Sequence, residues 1–165
     1  MNFQKNLFLI GGNEERGPQG NLLSRFVKLC GGAPRIIIIS GASSFPEQVA
    51  NTYQEIFINR GASQVDCVLF NDRRDGVHQE NRNLLDQADG VFITGGNQVK
   101  LVGTMGGTPF HKRLLKRINS GMVYGGTSAG ASIVSRIMIA GGRGSFNPRK
   151  NTVKISGGLG ILDGV

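Results

Sequence analysis

The sequence predicts a single doubly wound α/β domain, built on a mostly parallel sheet and spanning residues 1–165. Three observations predict it. Short apolar runs alternate with stretches whose apolar residues recur at helical spacing. The strongest of these runs is apolar on both faces, as a strand needs when helices cover both sides of its sheet. Glycine, at 26 residues, is far above its usual share of about 7%, and it clusters where apolar runs end, the place of the tight loops that build sites in such folds.

The elements follow in order. Leu7–Ile10 is a short apolar run closed by Gly11-Gly12, and Leu22, Leu23, Phe26, Leu29 and Cys30 then repeat as one helix face stopped by Gly31-Gly32. Ile36–Ile39 is four consecutive isoleucines, a buried parallel strand. Ser44 and Pro46 open a helix that presents Val49, Tyr53, Ile56 and Phe57 and ends at Gly61. Val65–Phe70 is the third strand, a short helix lies around Leu84-Leu85, and Gly90–Thr94 is the fourth strand, closed by Gly95-Gly96. Thr108-Pro109 starts a helix striped by Phe110, Leu114 and Ile118, and Met122–Tyr124 is the fifth strand. The run Ala129–Ile139 reads as a further helix, with strand-like segments at Val153–Ile155 and Ile161-Leu162. Ligands bind outside the carboxyl ends of the strands in these sheets, which selects the loops Gly11–Arg16, Gly95–Gln98 and Gly126–Gly130.

The net charge of +8 supports non-specific attraction to polyanions and no more. Lys112, Arg113, Lys116 and Arg117 share one predicted helix and read as a solvated face. The stretch after Ser128 carries five bases (Arg136, Arg143, Arg149, Lys150, Lys154) against one acid, Asp163. With no Trp and no zinc-finger or RNP-type motif, a nucleic-acid partner is not expected. Cys30 and Cys67 sit among apolar residues without metal-ligand spacing and read as reduced, buried thiols, so no metal is expected. The first residues lead into a four-residue apolar run, too short for a signal peptide or a membrane span. A cytoplasmic protein without a membrane partner is the expectation.

Gly126-Thr127-Ser128-Ala129-Gly130 fits the G-x-S-x-G nucleophile elbow. A serine at the tip of a sharp strand-to-helix turn needs small neighbours, and the turn aims the following backbone N–H groups at the point where an oxyanion would form. A second donor is expected from Gly95-Gly96, and the amides of Asn97 and Gln98 suit the orienting of a polar substrate. Glu14, in the first loop, lines the cleft or caps the turn. That loop lacks the Lys-Ser/Thr of a phosphate loop, which removes a nucleotide reading. The base is the gap: His78 and His111 both precede the serine, whereas in doubly wound hydrolases the histidine follows it.

These residues resemble the cyanophycinases, of the serine-peptidase family that also includes aspartyl dipeptidase (dipeptidase E). The resemblance rests on Ile10-Gly11-Gly12 with Glu14-Glu15-Arg16, Ala42-Ser43-Ser44 after the isoleucine strand, Gly95-Gly96-Asn97-Gln98, Gly126–Ala131, and Gly158–Leu162. The resemblance implies a class I glutamine amidotransferase-like fold with serine in place of cysteine. It implies exopeptidase hydrolysis of cyanophycin, a polyaspartate chain bearing arginine on its side chains, to β-aspartyl-arginine dipeptides. Ser128 is then the nucleophile, the N–H groups of Gly96 and Ala129 form the oxyanion hole, and Gln98 lies in the substrate cleft; no cofactor and a homodimer are implied. In the family, the glycine-leucine run leads into an Asp-Gln-His segment carrying the catalytic histidine, and this sequence stops before it, so the domain is expected to be incomplete at its C-terminus. Arg143–Lys150 also holds no carboxylate where relatives carry acids. An aspartyl or isoaspartyl dipeptidase of the same fold, or a non-catalytic binding domain, are the alternatives.

Overall fold

The computed structural model describes residues 6–17, 20–142 and 153–162. The chain runs β1 (Leu7–Ile10), α1 (Asn21–Leu29), β2 (Arg35–Ser40), α2 (Pro46–Asn59), β3 (Gln64–Leu69), α3 (Gln79–Gln87), β4 (Gly90–Ile93), α4 (Gln98–Met105), α5 (Pro109–Asn119), β5 (Val123–Thr127), α6 (Ala129–Ser132), β6 (Ile137–Gly142) and β7 (Val153–Gly157). The first five strands form one parallel sheet in the order β1-β5-β4-β2-β3. The α/β fold with a parallel sheet between helices is therefore as the sequence predicts.

Alternation along the strands sorts side chains into two cores. Phe26, Tyr53 and Phe57 of α1 and α2 pack on Ile36, Ile38 and Phe92 on one face. Phe110, Leu114 and Ile118 of α5 and Leu85 of α3 pack on Ile37, Ile39, Val91 and Tyr124 on the other. Ile36 through Ile39 are each at most 1% exposed, which explains the uninterrupted isoleucine run. Burying each is worth roughly 1.5–3 kcal/mol.

Several local readings need correction. Phe45, not Ser44, holds the N-cap position of α2, and its N–H donates to the Ser43 hydroxyl at 3.0 Å. The fifth strand runs on through the glycines to Thr127, because β1 and β4 pair with it on both sides. A side chain at Gly125 would collide with the rings of Phe26 and Phe92, both 2.6 Å from its Cβ position. The helix α4 is new: Asn97 caps it, accepting from the Lys100 N–H at 3.0 Å. The run read as one helix from Ala129 to Ile139 ends at Ser132. From there Leu159, Gly160 and Leu162 donate their N–H groups to the carbonyls of Ile133, Ser135 and Val134, and residues 137–142 pair antiparallel with 153–157 as a separate ribbon.

The basic helix is not simply a solvated face. Arg117 donates to the carbonyls of Leu85 and Ala88, and Arg113 pairs with Asp86, so both close the end of α3; Lys112 and Lys116 remain exposed. Burial pushes the thiol of Cys30 up to about 12, with Asp89 adding to the effect, and that of Cys67 to about 11, with Asp66 adding there. Both thiols are protonated at neutral pH, and both are half-buried rather than fully buried as the sequence suggests. Arg143, Arg149, Lys150 and Asp163 of the basic stretch, the acid-free segment 143–150, and Pro18-Gln19 lie outside the described residues.

Candidate active site

The strand order places the ends of β1, β5 and β4 side by side, so the three glycine-bearing loops expected from the sequence meet. At the tip of the middle one, Ser128 has φ +51° and ψ −111°, a region that costs a non-glycine residue about 1–3 kcal/mol. Ser128 is exposed, between the buried Thr127 and Ala129. Its own N–H donates to the Ile10 carbonyl at 2.9 Å, tying the turn to β1.

Glycines make the turn possible. A Cβ on Gly130 would overlap the Ile93 carbonyl, and one on Gly126 would overlap the Gly130 carbonyl. Gly12 and Gly95 flank the serine: a Cβ on either would lie 3.3 Å from Ser128 Cβ and 3.7 Å from its Oγ. Neither of these two residues was singled out as a site residue by sequence reasoning, although the glycine pairs that contain them were. Beneath the turn the wholly buried Tyr124 donates its hydroxyl to the Gly130 carbonyl at 2.5 Å, and burial raises that phenol far above its ordinary range.

In α6 the first N–H to find a carbonyl is that of Ala131, which bonds Ser128. The N–H groups of Ala129 and Gly130 are the orphan donors of a helical first turn. Gly96 has φ +137° and lies against the backbone of Ala42, with which a Cβ would collide. Asn97, besides capping α4, donates its N–H to the Ala42 carbonyl at 2.9 Å. The Asn97 side-chain oxygen is thus committed to the helix cap. Gln98 is half-buried, and its Nε2 donates to the Ile139 carbonyl of the ribbon at 2.9 Å.

Glu14 does not open onto a cleft: its side chain is 1% exposed. Oε1 accepts from the Tyr53 hydroxyl and Oε2 from Thr127 Oγ1 at 2.5 Å. Arg16 Nε stands 3.6 Å from Oε1, and its guanidinium lies 5.0 Å from the centre of the Tyr53 ring. Burial pushes the Glu14 carboxyl upward, but the hydrogen bonds from Thr127 and Tyr53, with help from Arg16, outweigh it and hold the group below its ordinary value. A buried carboxylate that keeps its charge needs such partners.

His111 is not a free base. Nδ1 of His111 accepts from the Gly107 N–H at 3.1 Å, and Nε2–H donates to the Leu159 carbonyl at 2.9 Å. Burial lowers its pKa, only partly offset by that carbonyl. His78 is exposed at the N-cap position of α3. Among the described residues, no group of three or more His, Cys, Asp or Glu converges as a metal site, and no helix is long and apolar enough to cross a membrane.

Residues 7–165 match peptidase family S51. The chain is 34% identical to the cyanophycinase of Geminocystis herdmanii over 161 residues, 96% of this chain and 59% of that protein. It is 34% identical to the cyanophycinase of Synechococcus elongatus over 158 residues, 94% of this chain and 49% of that one. A peptidase E of Streptomyces coelicolor matches at 37% identity over only 62 residues, 36% of this chain and 26% of that protein. Among solved structures, a peptidase from an acI-B1 actinobacterium superposes with a TM-score of 0.74 at 21% identity, covering 98% of this chain and 66% of that one. A peptidase E-like protein from Listeria monocytogenes gives 0.68 at 22% identity, covering 96% and 76%. The chain spans about half the length of the curated relatives it matches.

Proposed function

From the premise that the chain belongs to peptidase family S51, we propose that it is the nucleophile-bearing part of a serine exopeptidase that hydrolyses cyanophycin to β-aspartyl-arginine dipeptides. The observation that carries the chemistry is the exposed, positive-φ Ser128 held between Gly12 and Gly95 at the adjoining strand ends. The relatives matched over most of the chain are cyanophycinases, whereas the peptidase E match covers about a third of it. That balance favours the polymer over free aspartyl dipeptides as substrate.

In this reading Ser128 Oγ attacks the scissile carbonyl and passes its proton to a histidine base. The carbonyl oxygen becomes an oxyanion received by the N–H groups of Ala129 and Gly96. The C–N bond then breaks as the leaving amine takes the proton, and water releases the acyl group by the same steps in reverse order. Gln98 contacts substrate; Asn97 and Glu14 act by shaping the loops around it. Both ring nitrogens of His111 are engaged, so the base in this reading is a residue other than His111, of this protein or of a partner chain. The apolar ribbon face of Ile137, Ile139 and Ile155, each more than 60% exposed, supports a homodimer. A cytoplasmic location completes the reading.

A cleavage panel tests it. β-Aspartyl-arginine polymer should yield free dipeptide, with α- and β-aspartyl dipeptides cut poorly. Cleavage of the free dipeptides alone would move the assignment to an aspartyl dipeptidase, and cleavage of none would leave a binding domain.

A further inference from the structure

We propose that Glu14 is a positioning residue for the nucleophile, its buried carboxylate holding the end of β5 so that Ser128 keeps the backbone conformation that presents its hydroxyl. The inference rests on the reading of Ser128 as the nucleophile.

Two acids stand together in the first loop, and only one is buried: Glu15 is exposed, while the Glu14 side chain is 1% exposed. A carboxylate withdrawn from water in this way loses its hydration and persists only where fixed donors replace it. Here the donors are two hydroxyls from distant parts of the chain, Tyr53 in α2 and Thr127 at the last position of β5. Thr127 immediately precedes Ser128. The peptide between them is thus held on both sides, by the Thr127 hydroxyl on Glu14 and by the Ser128 N–H on the Ile10 carbonyl.

Strained backbone persists only where its surroundings over-determine it. The glycines at 12, 95, 126 and 130 remove obstacles to the turn, but absence of a clash does not pull the chain into place. Glu14 supplies that pull. Its carboxylate accepts both hydroxyls at once, which an amide cannot do without turning one of them into an acceptor. Tyr53 is itself fixed, 1% exposed among Phe57 and Phe92, so the carboxylate is anchored to the α2 layer and transmits that rigidity to β5. Arg16 closes the outer side, close to Oε1 and over the Tyr53 ring.

The test is a double-mutant cycle of Glu14→Gln and Thr127→Val, with Thr127→Ser as the conservative variant. Turnover, KM and the rate of Ser128 acylation by a fluorophosphonate are measured on the protein that carries its base. Each single variant should lose about 10–100-fold in kcat and in acylation rate, with KM within about twofold. The double variant should be no worse than either single one, and Thr127→Ser should keep most of the wild-type rate. A Glu14→Gln protein that melts earlier but turns over normally when folded would overturn the proposal, as would fully additive losses. Should Glu14→Gln not fold, the contrast between Thr127→Val and Thr127→Ser decides alone. A wild-type protein that neither cleaves nor acylates refutes the nucleophile reading instead. The brace is then judged from crystal structures of the variants: Ser128 should move by more than about 0.5 Å or leave positive φ, and an unmoved Ser128 overturns it.

Discussion

Tyr124 and Gly130 are joined by a hydrogen bond of 2.5 Å in which the tyrosine hydroxyl, wholly buried, donates to the glycine carbonyl. The bond ties the strand that leads into the elbow to the helical turn that leaves it. Tyr124→Phe removes the donor and leaves a buried carbonyl unpaired, which costs about 1–3 kcal/mol. Urea unfolding should register that loss, with the secondary structure of the folded variant unchanged.

Glycines in this chain divide by what surrounds them. Gly130→Ala would drive a methyl group into the Ile93 carbonyl and Gly126→Ala into the Gly130 carbonyl, so neither variant should yield soluble, cooperatively folded protein. Gly96→Ala also meets backbone, that of Ala42, and should impair folding as well as turnover. Gly103 lies inside α4 with open space around its Cβ position. Gly103→Ala should raise stability by roughly 0.5–1 kcal/mol, measured as an increase in Tm.

His111 makes stability depend on pH. Its Nδ1 accepts the Gly107 N–H, and a protonated ring would set a donor against that donor. Burial lowers the folded pKa below the unfolded value of about 6.5. The unfolded state therefore binds the proton more readily, and the contribution of neutral His111 is full above about pH 6.5 and lost as pH falls through the folded pKa. Urea titrations at falling pH should show wild type losing stability in that window, and a His111→Gln variant should lose less.

The sheet was legible in the sequence because each strand carries its own signal: an apolar run such as Ile36–Ile39, closed by a glycine or polar loop. Elements set by distant contacts were not. α4 follows a glycine pair and contains Gly103, so no long apolar period marks it. The early end of α6 is imposed by Leu159, Gly160 and Leu162, which arrive some 25 residues later to bond the carbonyls of Ile133, Ser135 and Val134. Ser128 was readable because its elbow is local, while the partners of Glu14 lie 39 and 113 residues away.

The ribbon face offers a test of assembly. Ile139 pairs with Ile155 across the ribbon, and Ile137 stands two residues away on the same face, all three exposed. If a second copy covers them, sedimentation should give a dimer for the wild-type chain and a monomer for Ile139→Lys with Ile155→Lys. A wild-type monomer at tens of micromolar would remove the homodimer from the proposed function.

Ser128 as nucleophile is tested most directly by peptide mapping after reaction with a fluorophosphonate. Where the base is present, one adduct should appear, on Ser128, and Ser128→Ala should show no adduct and a loss of about 10³-fold or more in hydrolysis. Without that base, acylation should slow by several powers of ten. An adduct on any other residue, or undiminished hydrolysis of β-aspartyl-arginine polymer by Ser128→Ala, would contradict the assignment.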